Sequence, residues 1–462
     1  MAQVPAGSEF QVNSYTAGDQ AYPAVCADGQ GRFVVVWESR GQDGSGNAVR
    51  GQRYADDGAP LGGELAINSY TPDHQQSPAV ACSSAGDFVV VWESRGQDGD
   101  DYGIIGRLFD GSGAGRGDEF QINTTTADRQ RAAAACSDAA GDFVVVWESY
   151  NQDGDGYGIF GQRFDAAGAR RGSEFQVNTS TEYSQERPAV ACSGGGDFVV
   201  VWESGEQDGD GYGVFGQRID RNGSKLGSEF RVNSYTVGSQ QHAAITGDAS
   251  GGFVVVWESY DDQDGDQHGV FGQRFDSAGV ANGTEFQVNA FTAFNQEKPA
   301  IGSGAAGNVI TAWSSGQDGD GSGVFARQFS GVGVPTGTTD FQVNRYTLGD
   351  QGAVSDQGHV IGVAGGPTGT FLIVWQSIGV TVAAQDGSGS GIFAQRYTTR
   401  AACPGDCNSD GMVTIDELIR GVGIILQGLP PTECPALDLN ASDSVEINEL
   451  IAGVNAALSG CP

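Results

Sequence analysis

Along most of this 462-residue chain, apolar positions come in short runs rich in Val, Ile and Phe, broken by clusters of Gly, Asp and Asn. The runs recur. FVVVWES surrounds Trp37, Trp92, Trp147, Trp202 and Trp257, and looser versions surround Trp313 and Trp375. Successive tryptophans are 55, 55, 55, 55, 56 and 62 residues apart. A second run, EFQVN or a variant, ends at Asn13, Asn68, Asn123, Asn178, Asn233, Asn289 and Asn344. Each unit reads as four strands. In the third they are 132–136, 143–149, 158–165 and 174–178. β-Branched and aromatic residues favour strand, and the intervening Gly/Asp/Asn clusters are turn signals. No amphipathic stretch of helical length occurs before residue 411.

Seven repeats of four antiparallel strands predict an all-β, seven-bladed β-propeller over residues 1–400. The chain opens on a fourth strand, 9–13, that lacks its first three. It ends the repeats, at about 359–397, on a unit that lacks its fourth. Joining the two completes the seventh blade and closes the ring. A row of separate β-sandwiches is disfavoured, because a unit of this size is too small for a two-sheet core. The tryptophans are expected between blades. Glu38, Glu148, Glu203 and Glu258 are expected to pair across the sheet with Arg53, Arg163, Arg218 and Arg274, since the sixth unit loses both partners together. Cys26, Cys82, Cys136 and Cys192, all on first strands, read as buried free thiols. The seventh unit carries an extra apolar stretch, 378–384, expected to cover the closure seam.

Between the second and third strands of each unit lies a loop such as QDGDGYG. Five loops carry paired carboxylates: Asp98 and Asp100, Asp153 and Asp155, Asp208 and Asp210, Asp264 and Asp266, Asp318 and Asp320. Carboxylates with intervening glycines suit Ca²⁺, which takes six to eight oxygen ligands. The plainer reading is a tight Asp-Gly turn. In an up-and-down blade these loops share one face with the connections between blades, and a carbohydrate or cell-surface protein ligand is expected on that face.

Composition narrows the function. Acids outnumber bases 58 to 24, for a net charge of −34, which excludes a nucleic-acid binder. No apolar run is long enough to span a membrane. The N-terminus MAQVPAGSEF has no basic start and no apolar stretch, but eight cysteines point to an extracellular chain whose signal has been removed.

Near residue 400 the repeats stop. The tail, 401–462, holds Cys403, Cys407, Cys434 and Cys461 and two stretches of helical periodicity, 415–426 and 447–458. Asp406, Asn408, Asp410, Met412 and Glu417 fit the D-x-N-x-D-G-x₅-E calcium loop, with Gly411 at the sharp turn. Asp438, Asn440, Ser442, Ser444 and Glu449 form a looser second copy, with Asp443 where the glycine belongs. Two such loops, each followed by a helix and lacking an entering helix, resemble the type I dockerin family over 403–462. That resemblance implies a small helical calcium-binding domain that attaches secreted, often polysaccharide-degrading, proteins to cohesin partners. A self partner is the other expectation for the tail. Partner recognition would fall on Ile415, Asp416, Ile447 and Asn448, which depart from the small hydroxyl residues usual there. Among three connectivities, Cys403–Cys461 with Cys407–Cys434 is preferred. The ring has a general likeness to secreted bacterial propellers. It lacks the S-x-D-x-G-x-T-W boxes of sialidases, and its loop is shorter than that of integrin-like repeats.

Four histidines, no GxSxG, no HExxH and no isolated carboxylate pair argue against an enzyme. The expectation is a secreted, non-catalytic, calcium-binding scaffold for adhesion, its ring monomeric unless assembled through the tail. The alternatives are a polysaccharide-active hydrolase or lyase, suggested by the dockerin resemblance, and a structural component of an extracellular assembly.

Overall fold

The computed structural model describes residues 4–248, 251–304, 307–330, 335, 339–352, 360–379, 385–398, 404–407, 413–427, 429, 434–437 and 445–459. They fall into two compact units, Phe10–Ala394 and a second formed by Met1–Glu9 with Gln395–Pro462.

The larger unit is a seven-bladed β-propeller. Blade three is typical: Gln130–Ser137, Phe143–Tyr150, Tyr157–Phe164 and Phe175–Gln176 form one antiparallel sheet in chain order. The fourth strand pairs over two residues, fewer than predicted. Beyond it the ladder passes to a side chain, because Asn178 Oδ1 accepts the Ile159 N–H at 2.9 Å. First strands pack on one another around the ring, and that of blade seven, Ile361–Gly365, packs on Gln20–Ala27 of blade one. The terminal strands close the circle as predicted. Phe10 and Gln11 pair with Ala394 and Phe393. The Val12 N–H then donates to Ile392 O, and the Ile392 N–H donates to Asn13 Oδ1, both at 2.8 Å.

The tryptophans fill the gaps between blades. All seven are fully buried, and they pack on the valines or equivalent residues of the preceding blade, as Trp92 does with Val34 and Val36, Trp147 with Val89 and Val91, and Trp37 with Leu372 and Val374. A strand alternates its faces, so a second strand reading V-V-V-W buries both sides only if flanked by two sheets. Truncating one such indole would cost about 3–5 kcal/mol.

Two expectations about these strands are corrected. The four first-strand cysteines are not free thiols. Cys26–Cys82 and Cys136–Cys192 are disulfides joining blade one to two and blade three to four. The sequence holds the reason: Cys26 and Cys136 lie six residues after the strand's opening Gln, whereas Cys82 and Cys192 lie seven after it. The one-residue offset turns each pair toward a shared gap. The predicted Glu–Arg pairs also do not form. Glu38 stands opposite Val49, while Arg53 stands opposite Val34, four positions away. The guanidinium groups instead donate to carbonyls of the next blade: Arg53 to Gly111 and Ser112, Arg163 to Arg221, and Arg218 to Ser277 and Ala278.

In the second unit, Val4–Pro5 pairs with Tyr397–Thr398, and the tail contributes two helices, α1 (Ile415–Gln427) and α2 (Ile447–Ser459). The Cys407–Cys434 disulfide is present, with Ile424, Leu437 and Val445 around it. Each helix also exposes an apolar stripe, Ile415, Ile419, Val422 and Leu426 on α1 and Ile447, Ile451, Val454 and Leu458 on α2. Residues 380–384 of the predicted seam cover, and Cys403 and Cys461, lie outside the described residues.

Candidate functional site at the inner rim of the ring

The first strand of blades one to six carries a register shift between its second and fifth residues. At each bulge one residue has a left-handed backbone: Tyr22, Ser77, Ala132, Arg187, His242 and Lys298, with φ between 50° and 53°. Glycine would hold that conformation without strain, yet none is used. Bulges re-aim side chains and are frequent beside active sites.

The bulge is fixed by the Glu that follows the tryptophan of the preceding blade, or by Gln376 in blade seven. The Ala132 N–H donates to Glu93 (2.8 Å), Arg187 N–H to Glu148 (2.6 Å), His242 N–H to Glu203 (2.5 Å) and Lys298 N–H to Glu258 (3.0 Å). Ser77 donates to Glu38 at 3.3 Å, and Tyr22 to Gln376 at 3.5 Å. Every donor lies one blade beyond its acceptor. The repeated carboxylate is therefore a latch between blades.

Around this latch three positions vary from blade to blade: the bulge residue, the residue before it, and the residue five before the Gln of the third strand or its counterpart. They read Ala21, Tyr22 and Asn47 in blade one, but Arg131, Ala132 and Tyr157 in blade three, Glu186, Arg187 and Tyr212 in blade four, and Gln241, His242 and His268 in blade five. Blade six supplies Glu297 and Lys298. These residues meet the latches. Arg131 pairs with Glu148 and lies over the Tyr157 ring at 4.3 Å. Arg187 Nη1 is 3.2 Å from Glu203. His242 Nδ1 and His268 Nδ1 lie 3.0 and 2.9 Å from the two oxygens of Glu258, and His268 Nδ1 is 3.5 Å from Glu297. A cavity of about 310 Å³ opens beside them, with apolar walls that include Pro23, Pro78, Ala133, Pro188 and Ala243 and a polar edge of Glu93, Arg131, Glu148, Arg187 and His242.

The environments push these acids apart. Burial raises Glu38 and Glu148 to about 7, against the Ser77 N–H in the first case and the Arg131 charge in the second. Glu93 and Glu203 move up for the same reason. Burial also works against the charge of Glu258, but His242 and His268 outweigh it and hold this carboxyl at about 2. Burial opposes a charge on His268, and the bonds from Glu258 and Glu297 prevail, raising it to about 9. Glu258, His268 and Glu297 each offer one ligand atom, all within 4.8 Å of one another.

The loop aspartates lie elsewhere. The first of each pair ties its loop to the next strand end: Asp98 accepts from Asn123, Asp153 from Asn178, Asp208 from Asn233, Asp264 from Asn289, and Asp318 bonds Asn344. The second accepts a backbone N–H from the following connection, Asp100 from Asp128, Asp155 from Tyr183, Asp210 from Gly238 and Asp266 from Phe294. Asp320 is exposed. In the tail, Asp406, Glu417 and Glu449 are buried. Glu417 accepts from the Cys407 N–H (2.9 Å) and from the N–H and hydroxyl of Thr414 (2.8 and 2.9 Å). Glu449 accepts the Glu446 N–H at 2.8 Å. Asn408, Asp410, Met412, Asp438, Asn440, Ser442 and Ser444 lie outside the described residues.

No protein-family model matches this chain, and no curated protein does. Among solved structures it is similar to the polysaccharide lyase Uly1, at 10% identity over 84% of this chain and 99% of that one, with a TM-score of 0.49. It is also similar to an α-L-arabinanase of Penicillium chrysogenum complexed with arabinobiose, at 13% identity over 69% and 92% of the two chains (TM-score 0.43). A third is the α-L-arabinofuranosidase Arb93A of Fusarium graminearum with an iminosugar inhibitor, at 10% identity over 68% and 93% (TM-score 0.45). At such identities the likeness is one of fold. The expectation of a non-catalytic scaffold is nevertheless corrected. That expectation rested on the lack of any unrepeated cluster of carboxylates and cations, whereas carboxylates, guanidinium groups and imidazoles do meet at the inner rim. The cluster's members come from four blades and belong to no short motif; the sequence signal is the set of columns in which the repeats disagree.

Proposed function

We propose that this chain is a secreted enzyme that cleaves polysaccharide at the inner rim of the ring, as a glycoside hydrolase or a lyase. One observation carries the reading: blades three to five set different cations, an imidazole and carboxylates on a repeated frame, at the edge of a cavity walled by proline and alanine. Apolar walls suit the face of a sugar ring, and a polar edge suits its hydroxyl groups. Glu148, held near neutrality by burial on the cavity's polar edge, is suited to give a proton; Glu258, held ionised behind that edge, would orient His242. Arg131 and Arg187 would face an acidic sugar's carboxylate, which a lyase must neutralise before removing the adjacent proton. The three disulfides among the described residues favour an extracellular setting.

The assay is a panel of neutral and acidic polysaccharides, read both by new reducing ends and by the ultraviolet absorbance of an unsaturated product. Cleavage of at least one polymer is expected, the second signal separating elimination from hydrolysis. A chain that releases neither product from any polymer contradicts the proposal.

The tail would add a calcium site, with Asp406 and Glu417 as the described members of its first loop. Glu417 is preorganised there by the Thr414 and Cys407 donors.

A further inference from the structure

We infer that Glu258, His268 and Glu297 form a binding site for a transition-metal dication of the zinc or manganese class rather than for calcium. The inference rests on ligand chemistry and spacing, and goes beyond the proposed cleavage of polysaccharide.

His268 Nδ1 faces two carboxylates at once, at 2.9 Å from Glu258 and 3.5 Å from Glu297. Bonds of about 2.0–2.2 Å to a tetrahedral metal put neighbouring ligand atoms roughly 3.3 Å apart, so these separations need little adjustment. One imidazole nitrogen among carboxylate oxygens fits borderline metals and is foreign to calcium, whose ligands are oxygens. The set is also held from behind. Tyr260 packs on the His268 ring with centroids 4.0 Å apart. Asn295 donates to Glu297 at 2.7 Å, and the Lys298 N–H donates to Glu258 at 3.0 Å. Such outer partners orient ligands and commonly tune affinity. His242 Nδ1, 3.0 Å from Glu258, is placed to move in as a fourth ligand. Without metal, the same atoms form a clamp of imidazoles between carboxylates, and the two states predict different binding.

The ring supplies its own control substitutions. Where blade five has His268, blades two to four have Tyr102, Tyr157 and Tyr212; where blade six has Glu297, blades two and five have Gln76 and Gln241. His268→Tyr and Glu297→Gln therefore install residues that this frame already accepts. The full chain, stripped with chelator, would be titrated calorimetrically with zinc, manganese and calcium chlorides, and its melting followed in parallel. One equivalent of Zn²⁺ or Mn²⁺ is expected to bind the wild type, with affinity at least about 100-fold weaker in either variant. Both variants should melt as the metal-free wild type does. Equal zinc and manganese binding by wild type and His268→Tyr, or no binding of either ion by the wild type, overturns the inference. The readout is metal binding, so an inactive polysaccharide assay leaves it standing.

Discussion

Glu38 shows how much one carboxyl does in this ring. It lies near the end of a second strand, accepts the Ser77 N–H of the next blade at 3.3 Å and the Asn47 amide at 2.5 Å, and has no cationic partner among these bonds. Burial lifts it from an ordinary 4.5 to about 7. A carboxyl whose folded pKa exceeds its unfolded one binds its proton more tightly in the native state. Its contribution is therefore full below pH 4.5 and is lost as pH rises through 7, an effect on the order of 3 kcal/mol. Glu38→Gln removes the titration and keeps an oxygen for the Ser77 N–H, as Gln376 does for Tyr22 in blade seven. Melting curves between pH 4.5 and 7.5 should show a visibly shallower fall for the variant than for the wild type; parallel curves would mean that Glu38 does not titrate in that window. This residue was legible in five of the seven repeats, but its partner was not. The sequence pairs Glu with Arg by joint absence in blade six, whereas the register separates them by four positions and a backbone N–H takes the Glu. Backbone donors leave no trace in composition.

At the scale of elements, the strands were readable because V-V-V-W-E-S buries both faces and because turn residues punctuate every unit. The bulge was not readable, since a left-handed φ at Arg187 or His242 contradicts the ordinary preference of those residues. It is imposed by the latch and by the packing of neighbouring first strands. The inter-blade disulfides lay between these cases: a one-residue offset within each cysteine pair encoded them. The tail helices followed the 3.6-residue period. Their stability is tied to the loops before them, where Glu417 closes the first turn region through Thr414. Adding Ca²⁺ to chelator-stripped protein is expected to raise far-ultraviolet helical signal and the melting temperature of the tail, and Glu417→Gln should abolish that response. An identical spectrum with and without the ion would remove calcium from the account of the tail.

The whole molecule is a repeated frame that carries unrepeated chemistry. Seven tryptophans and the terminal strands make the ring, and this much could be counted from spacings alone. The same repetition sets an acidic loop in each blade, four of them tied by hydrogen bonds to Asn123, Asn178, Asn233 and Asn289. The residues that differ, Arg131, Arg187, His242, His268 and Glu297, meet only when four blades are laid side by side. Returning the bulge to the residue of blade two, as Arg187→Ser with His242→Ser, keeps the latches to Glu148 and Glu203, which use backbone N–H groups. Turnover of the polysaccharide cleaved by the wild type, measured for this double variant alongside its melting temperature, is the most direct test. The account predicts a fall of at least about 100-fold in rate in a protein that still folds, the scale expected for loss of positioned acid–base groups. Undiminished turnover in the folded variant would contradict it.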